Sequence, residues 1–217
     1  MGVAENLVQI QTRIRSSAES VRRDPESITL VAVSKFQSID LLWEAYEAGQ
    51  RHFGESRLQE ALPKIEAMPK DVTWHFIGGL QTNKVRKIVE VFDCVHTFCK
   101  VAHLTEAEKA NGEVTAFIEV NIANEPQKSG LPPEMLDEFA QNLLKLHNVH
   151  FHGLMTIGPV VDEVEQMRPY FRELHRLNEK LGLTELSMGM SGDFEVAIQE
   201  GASHVRVGSA IFGSRNI

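Results

Sequence analysis

Apolar positions along the chain follow two different spacings. In the first twenty residues they recur at steps of three and four, as on one face of a helix, at Val3, Leu7, Ile10, Ile14 and Ala18. Pro25 ends this predicted helix. From residue 28 onward, short apolar runs of strand length alternate with segments of helical spacing. The sequence therefore predicts one N-terminal helix followed by a repeated strand–helix unit.

The repeated unit contains eight predicted strands. They are 28–33, 51–54, 73–77, 92–96, 114–120, 149–155, 185–187 and 203–207. A helical stretch follows each strand except the last, and such alternation implies parallel strands because each crossover needs a helix of about a dozen residues. Eight units predict a single α/β domain over residues 1–217, a closed (β/α)8 TIM barrel with an extra N-terminal helix. A doubly wound open sheet is the alternative.

Composition narrows the classes of function. The 217 residues carry a formal net charge of −8, which argues against binding to a phosphate backbone, since such proteins cluster Lys and Arg. The two cysteines imply no disulfide framework and fit a reducing compartment. The first twenty residues lack the apolar core of a signal peptide, and no apolar run is long enough to span a membrane. We expect a cytoplasmic monomer that binds neither nucleic acid nor membrane.

A lysine follows the first predicted strand, in the run Leu30-Val31-Ala32-Val33-Ser34-Lys35. Lysine is seldom fully buried, so the plain interpretation is a strand-end charge that reaches solvent. In a TIM barrel, however, the carboxyl ends of the strands form the active site. Lys35 and the polar or glycine residues at the other strand ends are therefore candidates for one shared pocket.

Two glycine-rich loops point to a phosphate site. The seventh strand runs into SMGMSGDFEVAI, with Ser191 and Gly192 where a helix begins, and the eighth into RVGSAIFG, with Gly208 and Ser209 at a last helical turn. The loops after strands 7 and 8 are the usual phosphate cradle of this fold, since free amides at a helix start attract anions. Ordinary turns and helix caps remain the alternative for both loops.

A lysine opposite a phosphate cradle indicates a phosphorylated carbonyl compound, because a neutral amine forms an imine with an aldehyde or ketone. Two ligand classes fit, pyridoxal 5'-phosphate (PLP) and the sugar phosphate of a Schiff-base aldolase. Arg206 precedes the second loop, where it would face a group near the ring rather than the phosphate. A pyridine nitrogen is a plausible partner, which favours PLP.

Seven motifs now resemble those of a known family, the pyridoxal-phosphate homeostasis proteins (the YggS/PROSC family). They are LVAVSK, HFGES, WHFIGGLQTNK, VNIANEPQKSG, GLMTI, LSMGMSGDFEVAI and VRVGSAIFG. The resemblance implies a barrel similar to the alanine racemase N-terminal domain. It implies PLP held as an internal aldimine on Lys35, and a role in vitamin B6 homeostasis and PLP supply to apo PLP-dependent enzymes.

The resemblance also implies roles by position. Arg206 would face the pyridine nitrogen. Phosphate contacts would come from Ser191, Gly192, Gly208 and Ser209, and the pocket wall from His75 and Met155. Ser56 stands where the family usually has an asparagine contact to the cofactor, and its side chain is shorter.

Catalysis is not expected. An arginine at the ring nitrogen cannot give up its proton, so the pyridine stays unprotonated and the cofactor is a weak electron sink. Racemases of this type add a tyrosine from a second domain, whereas this chain ends at Ile217 and its tyrosines, Tyr46 and Tyr170, fall in helical patterns. The favoured function is that of a PLP-binding protein without catalytic residues, and the second candidate is a racemase or lyase of low activity. An aldolase and a barrel acting only through protein partners follow.

Two further features lie outside these motifs. Cys94, His96, Cys99 and His103 are residue types that bind zinc, but their spacing lacks the usual close cysteine pair, so no metal is expected. Lys128, after the fifth strand, is either a solvated loop lysine or a relay for the aldehyde during transfer. The sequence leaves that role open.

Overall fold

The computed structural model describes residues 2–143 and 146–213. Eight strands form one closed parallel barrel in sequence order. They are β1 Thr29–Val33, β2 His52–Glu55, β3 Thr73–Phe76, β4 Cys94–Phe98, β5 Val114–Glu119, β6 Val149–Met155, β7 Glu185–Ser187 and β8 His204–Val207. The barrel closes where β1 pairs with β8, with Thr29 opposite His204. The predicted (β/α)8 barrel is confirmed, and an open doubly wound sheet is excluded.

The helices surround the barrel. They are α1 Val3–Ser20, α2 Ile39–Glu47, α3 Leu58–Ala67, α4 Val85–Val89, α5 Val101–Ala107, α6 Leu136–Leu143, α7 Arg168–Lys180, α8 Phe194–Gln199 and α9 Ser209–Phe212. None of those helices is long and apolar enough to cross a membrane. Positions 144–145, predicted within the sixth helix, lie outside the described residues.

Several strand boundaries differ from the prediction by one or two residues, and the helix that the apolar spacing predicts over 162–181 begins later. β4 begins at Cys94 rather than residue 92, because the Phe92 amide still donates to Ile88 O at the end of α4. α7 begins at Arg168 rather than residue 162, after a 3-10 turn over Val164–Met167. Pro169 lies in the first turn of α7, the place where a helix tolerates proline because those amides have no intrahelical acceptor.

The N-terminal helix α1 is present as predicted and packs against α8 and α9. It buries Val3, Leu7, Ile10, Ile14 and Ala18, and each of the four larger side chains contributes about 1.5–3 kcal/mol when fully buried. Asn6 Nδ2 donates to Ile211 O over 2.8 Å, and Ser17 Oγ donates to Glu195 O over 2.8 Å. α1 therefore holds the two short helices that follow the glycine-rich loops.

The interior of the barrel is polar. Most buried apolar residues lie in one core between the sheet and the helices, whereas Cys94, Phe117 and Met155 form a separate small cluster. The Phe117 ring stacks on His96 and meets His204 edge-on, so these side chains share the interior. TIM barrels usually fill this space with branched apolar residues. Buried polar groups need hydrogen-bond partners, and the interior supplies them to His75, His96 and Arg206.

Candidate functional site

A cavity of about 320 Å³ opens at the carboxyl ends of the strands. Six of the nine predicted site residues line it: Lys35, Ser191, Gly192, Arg206, Gly208 and Ser209. Val33, Gln37, Ile77, Ile157, Met190 and Gly213 complete the wall. The volume lies within the range of small-molecule sites, about 300–1,000 Å³. Strands 1, 7 and 8 thus bring an amine, a guanidinium and two glycine-rich loops to one space.

Lys35 lies half-buried on the turn after β1. The next residue, Phe36, has φ +65°, a left-handed conformation that residues other than glycine adopt uncommonly. The Phe36 amide donates to the Glu60 carboxylate on α3, and the Ser34 amide donates to Gly54 O over 3.0 Å. These contacts from neighbouring elements hold the turn in its strained shape.

A buried ion pair supports the backbone immediately before Lys35. Lys64 Nζ on α3 donates to Ser34 O over 2.9 Å and to Glu55 Oε1 over 2.7 Å. Ser34 Oγ donates to the same carboxylate oxygen over 2.8 Å. Burial raises the pKa of Glu55, and the Lys64 ammonium opposes that rise. The pair fixes where the Lys35 turn leaves the strand.

The loops after β7 and β8 face each other across the Ser191 hydroxyl. Ser191 Oγ accepts from the Gly208 amide over 3.3 Å and from the Ala210 amide over 3.5 Å. The Met190 amide donates to Asp193 Oδ1 over 2.6 Å, which closes the first loop. Gly189 has φ +92°, and a Cβ there would lie 2.6 Å from the Ala197 Cβ, so the close turn requires glycine.

Arg206 is a buried cation whose described hydrogen-bond acceptors are neutral. Nη1 donates to Ser187 Oγ over 2.6 Å, and Nη2 donates to Thr156 O over 2.8 Å. Burial lowers the pKa of Arg206 to about 10, against the opposing charges of Asp193 and Glu119. The guanidinium is therefore charged at neutral pH. It presents a fixed positive charge at the floor of the cavity.

The other three predicted residues lie outside the cavity wall. His75 and Met155 are buried in the barrel interior beneath it, and His75 bonds to His52 and His96. Ser56 follows β2, and its carbonyl oxygen packs so closely on Gly78 that a Cβ there would lie 2.1 Å away. The structure thus separates these three positions from the group of six.

The predicted Cys–His group does not come together as one cluster. Cys94 and His96 lie on β4 inside the barrel, near His75, whereas His103 packs on Phe98 from α5. The ligand atoms of His75, Cys94 and His96 lie within 4.8 Å of one another. Burial raises the pKa of the Cys94 thiol well above its usual value, which disfavours the thiolate that metals bind.

Comparison with known proteins identifies the relatives of this chain. The sequence profile of the alanine racemase N-terminal domain matches residues 6–216. Pyridoxal phosphate homeostasis proteins from Aquifex aeolicus and Pseudomonas aeruginosa are 40% and 41% identical to it. Each match spans 99% of this chain, with 99% and 96% of the two relatives. The chain belongs to the pyridoxal phosphate homeostasis protein family. The resemblance found in the motifs is confirmed.

Solved structures of the family share the fold. PipY from Synechococcus elongatus, solved without PLP, has a TM-score of 0.87 at 35% identity, covering 97% of this chain and 100% of PipY. PipY with PLP bound has a TM-score of 0.85. Alanine racemase from Corynebacterium glutamicum has a TM-score of 0.74 at 16% identity and 61% coverage of that enzyme. The racemase likeness concerns the fold alone.

One residue of the family motifs, Glu55, supports the site through a bond that the sequence does not indicate. Glu55 is part of HFGES, but its bond to Lys64 joins β2 to the helix that follows. Glu60 and Lys64 are four residues apart on α3, which is a detectable ion-pair spacing. That spacing usually marks an exposed helix face, so nothing in the sequence indicates that Lys64 is buried.

Proposed function

We propose that this chain binds PLP in the cavity at the carboxyl ends of its strands, through covalent attachment of the cofactor to Lys35. Its biological role is then PLP homeostasis, the supply of vitamin B6 cofactor to PLP-dependent enzymes. One observation carries the proposal: an amine, a buried guanidinium and two glycine-rich loops line one cavity of about 320 Å³. When bound, PLP supplies an aldehyde that forms an imine with a primary amine.

The residues fit the chemical groups of PLP. Lys35 supplies the amine, from a turn held by Glu60, Lys64 and Glu55. Ser191 and Gly192 on one loop and Ser209 on the other supply hydroxyl and amide donors to the phosphate, while the Gly208 amide holds Ser191 Oγ in place. The anionic phosphate is also attracted by the buried charge of Arg206. Positive charge and free donors are what a phosphate ester requires.

Arg206 favours cofactor storage over catalysis. With a pKa of about 10 it stays protonated at neutral pH, so it donates a hydrogen bond to a pyridine nitrogen without transferring its proton. The ring nitrogen is then left without a proton, and the ring withdraws electrons weakly. Arg206 therefore suits a protein that holds PLP and releases it unchanged.

The proposed partners follow from this role. A protein that supplies cofactor has to meet apo PLP-dependent enzymes, and we propose that it does so in the cytoplasm as a monomer. The net charge of −8 supports the absence of nucleic acid from the partners. Lys128 Nζ is held by Gly158 O over 3.0 Å, on loops that follow β5 and β6. A relay role for Lys128 stays a hypothesis.

The proposal is tested by the visible absorbance of the purified protein after incubation with PLP. We expect a yellow protein that borohydride bleaches, with the reduced adduct on Lys35 by mass spectrometry. Lys35→Ala should lose the colour, and Lys87→Ala, an exposed lysine on α4, should keep it. A colourless wild-type protein, or an adduct on another lysine, contradicts the proposal. Turnover of amino acids well above that of free PLP would favour the racemase or lyase alternative.

A further inference from the structure

A chain of hydrogen bonds runs from Arg206 through the barrel interior. Arg206 bonds Ser187 Oγ over 2.6 Å, and Ser187 Oγ lies 2.7 Å from His96 Nδ1. His96 Nε2 lies 2.9 Å from His75 Nδ1, and His75 Nε2 lies 3.0 Å from His52 Nδ1. His75, His96, Ser187 and Arg206 are all at most 4% exposed. His52 lines a separate cavity near the start of β1 and β2, at the opposite end of the barrel.

The chemistry of arginine sets the direction of the first bond in this chain, and the serine proton sets the direction of the bonds that follow. A guanidinium only donates, so Ser187 Oγ accepts from Arg206, and His96 Nδ1 is the described acceptor for the serine proton. A neutral imidazole that accepts at Nδ1 carries its proton at Nε2. His96 therefore donates to His75 Nδ1, and by the same reasoning His75 donates to His52 Nδ1.

Burial supports neutral rings in this chain. It lowers the pKa of both His75 and His96 well below the usual value, and the charge of Arg206 adds to the effect at His96. Each donor O–H or N–H in the chain points away from Arg206. The negative end of each bond dipole therefore faces the guanidinium. Aligned hydrogen bonds polarise one another, so the chain stabilises a cation whose described acceptors are neutral.

We propose that His96 is a positioning residue for Arg206, acting through Ser187, and that His75 and His52 extend the same one-way chain. The chain fixes the plane of the guanidinium, and Arg206 lines the cavity. The effect on a ligand rests on the proposed function, since the ligand is PLP. The proton positions do not, because they are a property of the protein without cofactor.

The first test measures the proton positions directly. Nitrogen NMR of the histidine-labelled protein without PLP should show His96 and His75 as neutral rings that carry the proton at Nε2. The signals are assigned by their loss in the His96→Asn and His75→Gln variants. A proton at Nδ1 of His96, or a charged ring near neutral pH, overturns the proposal whether or not the protein binds PLP.

The second test measures the effect on the cofactor site. His96→Leu removes the acceptor of Ser187 and should shift the visible band of bound PLP and weaken PLP binding about three- to tenfold. His96→Asn keeps an acceptor oxygen near the place of Nδ1 and should restore most of both. Ser187→Ala should shift the band as His96→Leu does, which keeps the test open if that variant folds poorly. His175→Leu, on the exposed face of α7, is the control and should change neither.

Two results contradict a positioning role. One is an unshifted band in both His96→Leu and Ser187→Ala. The other is equal loss of binding in His96→Leu and His96→Asn with no band shift, which indicates a purely structural histidine. If wild-type protein binds no PLP at all, the proposed function fails, and the NMR result still decides the direction of the chain.

Discussion

Replacing His204 should make the protein less sensitive to mild acid. His204 lies at the start of β8 inside the barrel, where Nδ1 is 3.0 Å from Ser203 Oγ. Glu185 Oε2 lies 3.6 Å away and would favour a charged ring, but burial dominates and lowers the pKa of His204 to about 3. An unfolded histidine has a pKa of about 6.5.

The sign and size of the effect follow from these two values. Between them the unfolded chain holds a proton on this ring that the folded protein lacks, so folding stability falls as pH drops below about 6.5. From about pH 7.5 to about pH 5.5 the loss from one such histidine is about 1.4 kcal/mol. The loss continues until the pH reaches the folded value of about 3.

The assay compares urea unfolding of wild type and His204→Met at the two pH values. Other buried groups titrate as well, Glu55 and Glu119 in the opposite sense because burial raises their pKa. Their contributions are the same in both proteins and cancel. The drop in unfolding free energy should therefore be smaller in the variant by about 1.4 kcal/mol. His204→Gln should give the same difference, although its absolute stability will differ. If the free energy of unfolding drops equally in wild type and both variants, His204 is not a neutral ring in the barrel interior.

Three further substitutions test the supports of the site. Lys64→Met leaves the Glu55 carboxylate buried without its cation, so we expect a loss of about 3–5 kcal/mol in urea unfolding, largely restored by adding Glu55→Leu. Leu7→Ala removes a fully buried contact of α1 and should cost about 2–5 kcal/mol, whereas Val8→Ala, 62% exposed, should cost little. Gly78→Ala forces a Cβ against Ser56 and should lower stability by at least about 1–3 kcal/mol, and an unchanged melting temperature would contradict the close approach.

The fold was predictable because it depends on spacing alone. Alternating strand and helix lengths imply parallel strands, and parallel strands bring their carboxyl ends to one end of a barrel. That rule is enough to group Lys35 with the loops after strands 7 and 8, which the structure places around one cavity. It needs no knowledge of which side chains point inward.

The sequence did not show which strand side chains point into the barrel. Strands of a parallel sheet are usually apolar on both faces, so an alternation such as Trp74-His75-Phe76 does not by itself show which face is inside. The resemblance placed His75 and Met155 in the cavity wall, whereas the structure buries both in the barrel interior and neither lines the cavity. Lys64 was missed for a different reason. Its bond to Ser34 O spans thirty positions in the chain, and only the packing of α3 reveals it.

The two buried cations near the cavity, Lys64 and Arg206, have different surroundings. Carboxylates contact Lys64 and neutral groups contact Arg206, and this difference affects ligand binding. Lys64 sits between Glu55 and Glu60, at 2.7 and 3.0 Å, so its charge is neutralised locally and adds little to the field around Lys35. Arg206 bonds to a hydroxyl and a carbonyl, which stabilise its charge without cancelling it. Charges separated by a low-dielectric interior act over longer distances than in water. Arg206 therefore adds more to the field in the cavity than Lys64 does, and its charge attracts an anionic ligand to the cavity where the strand 7 and 8 loops expose their donors.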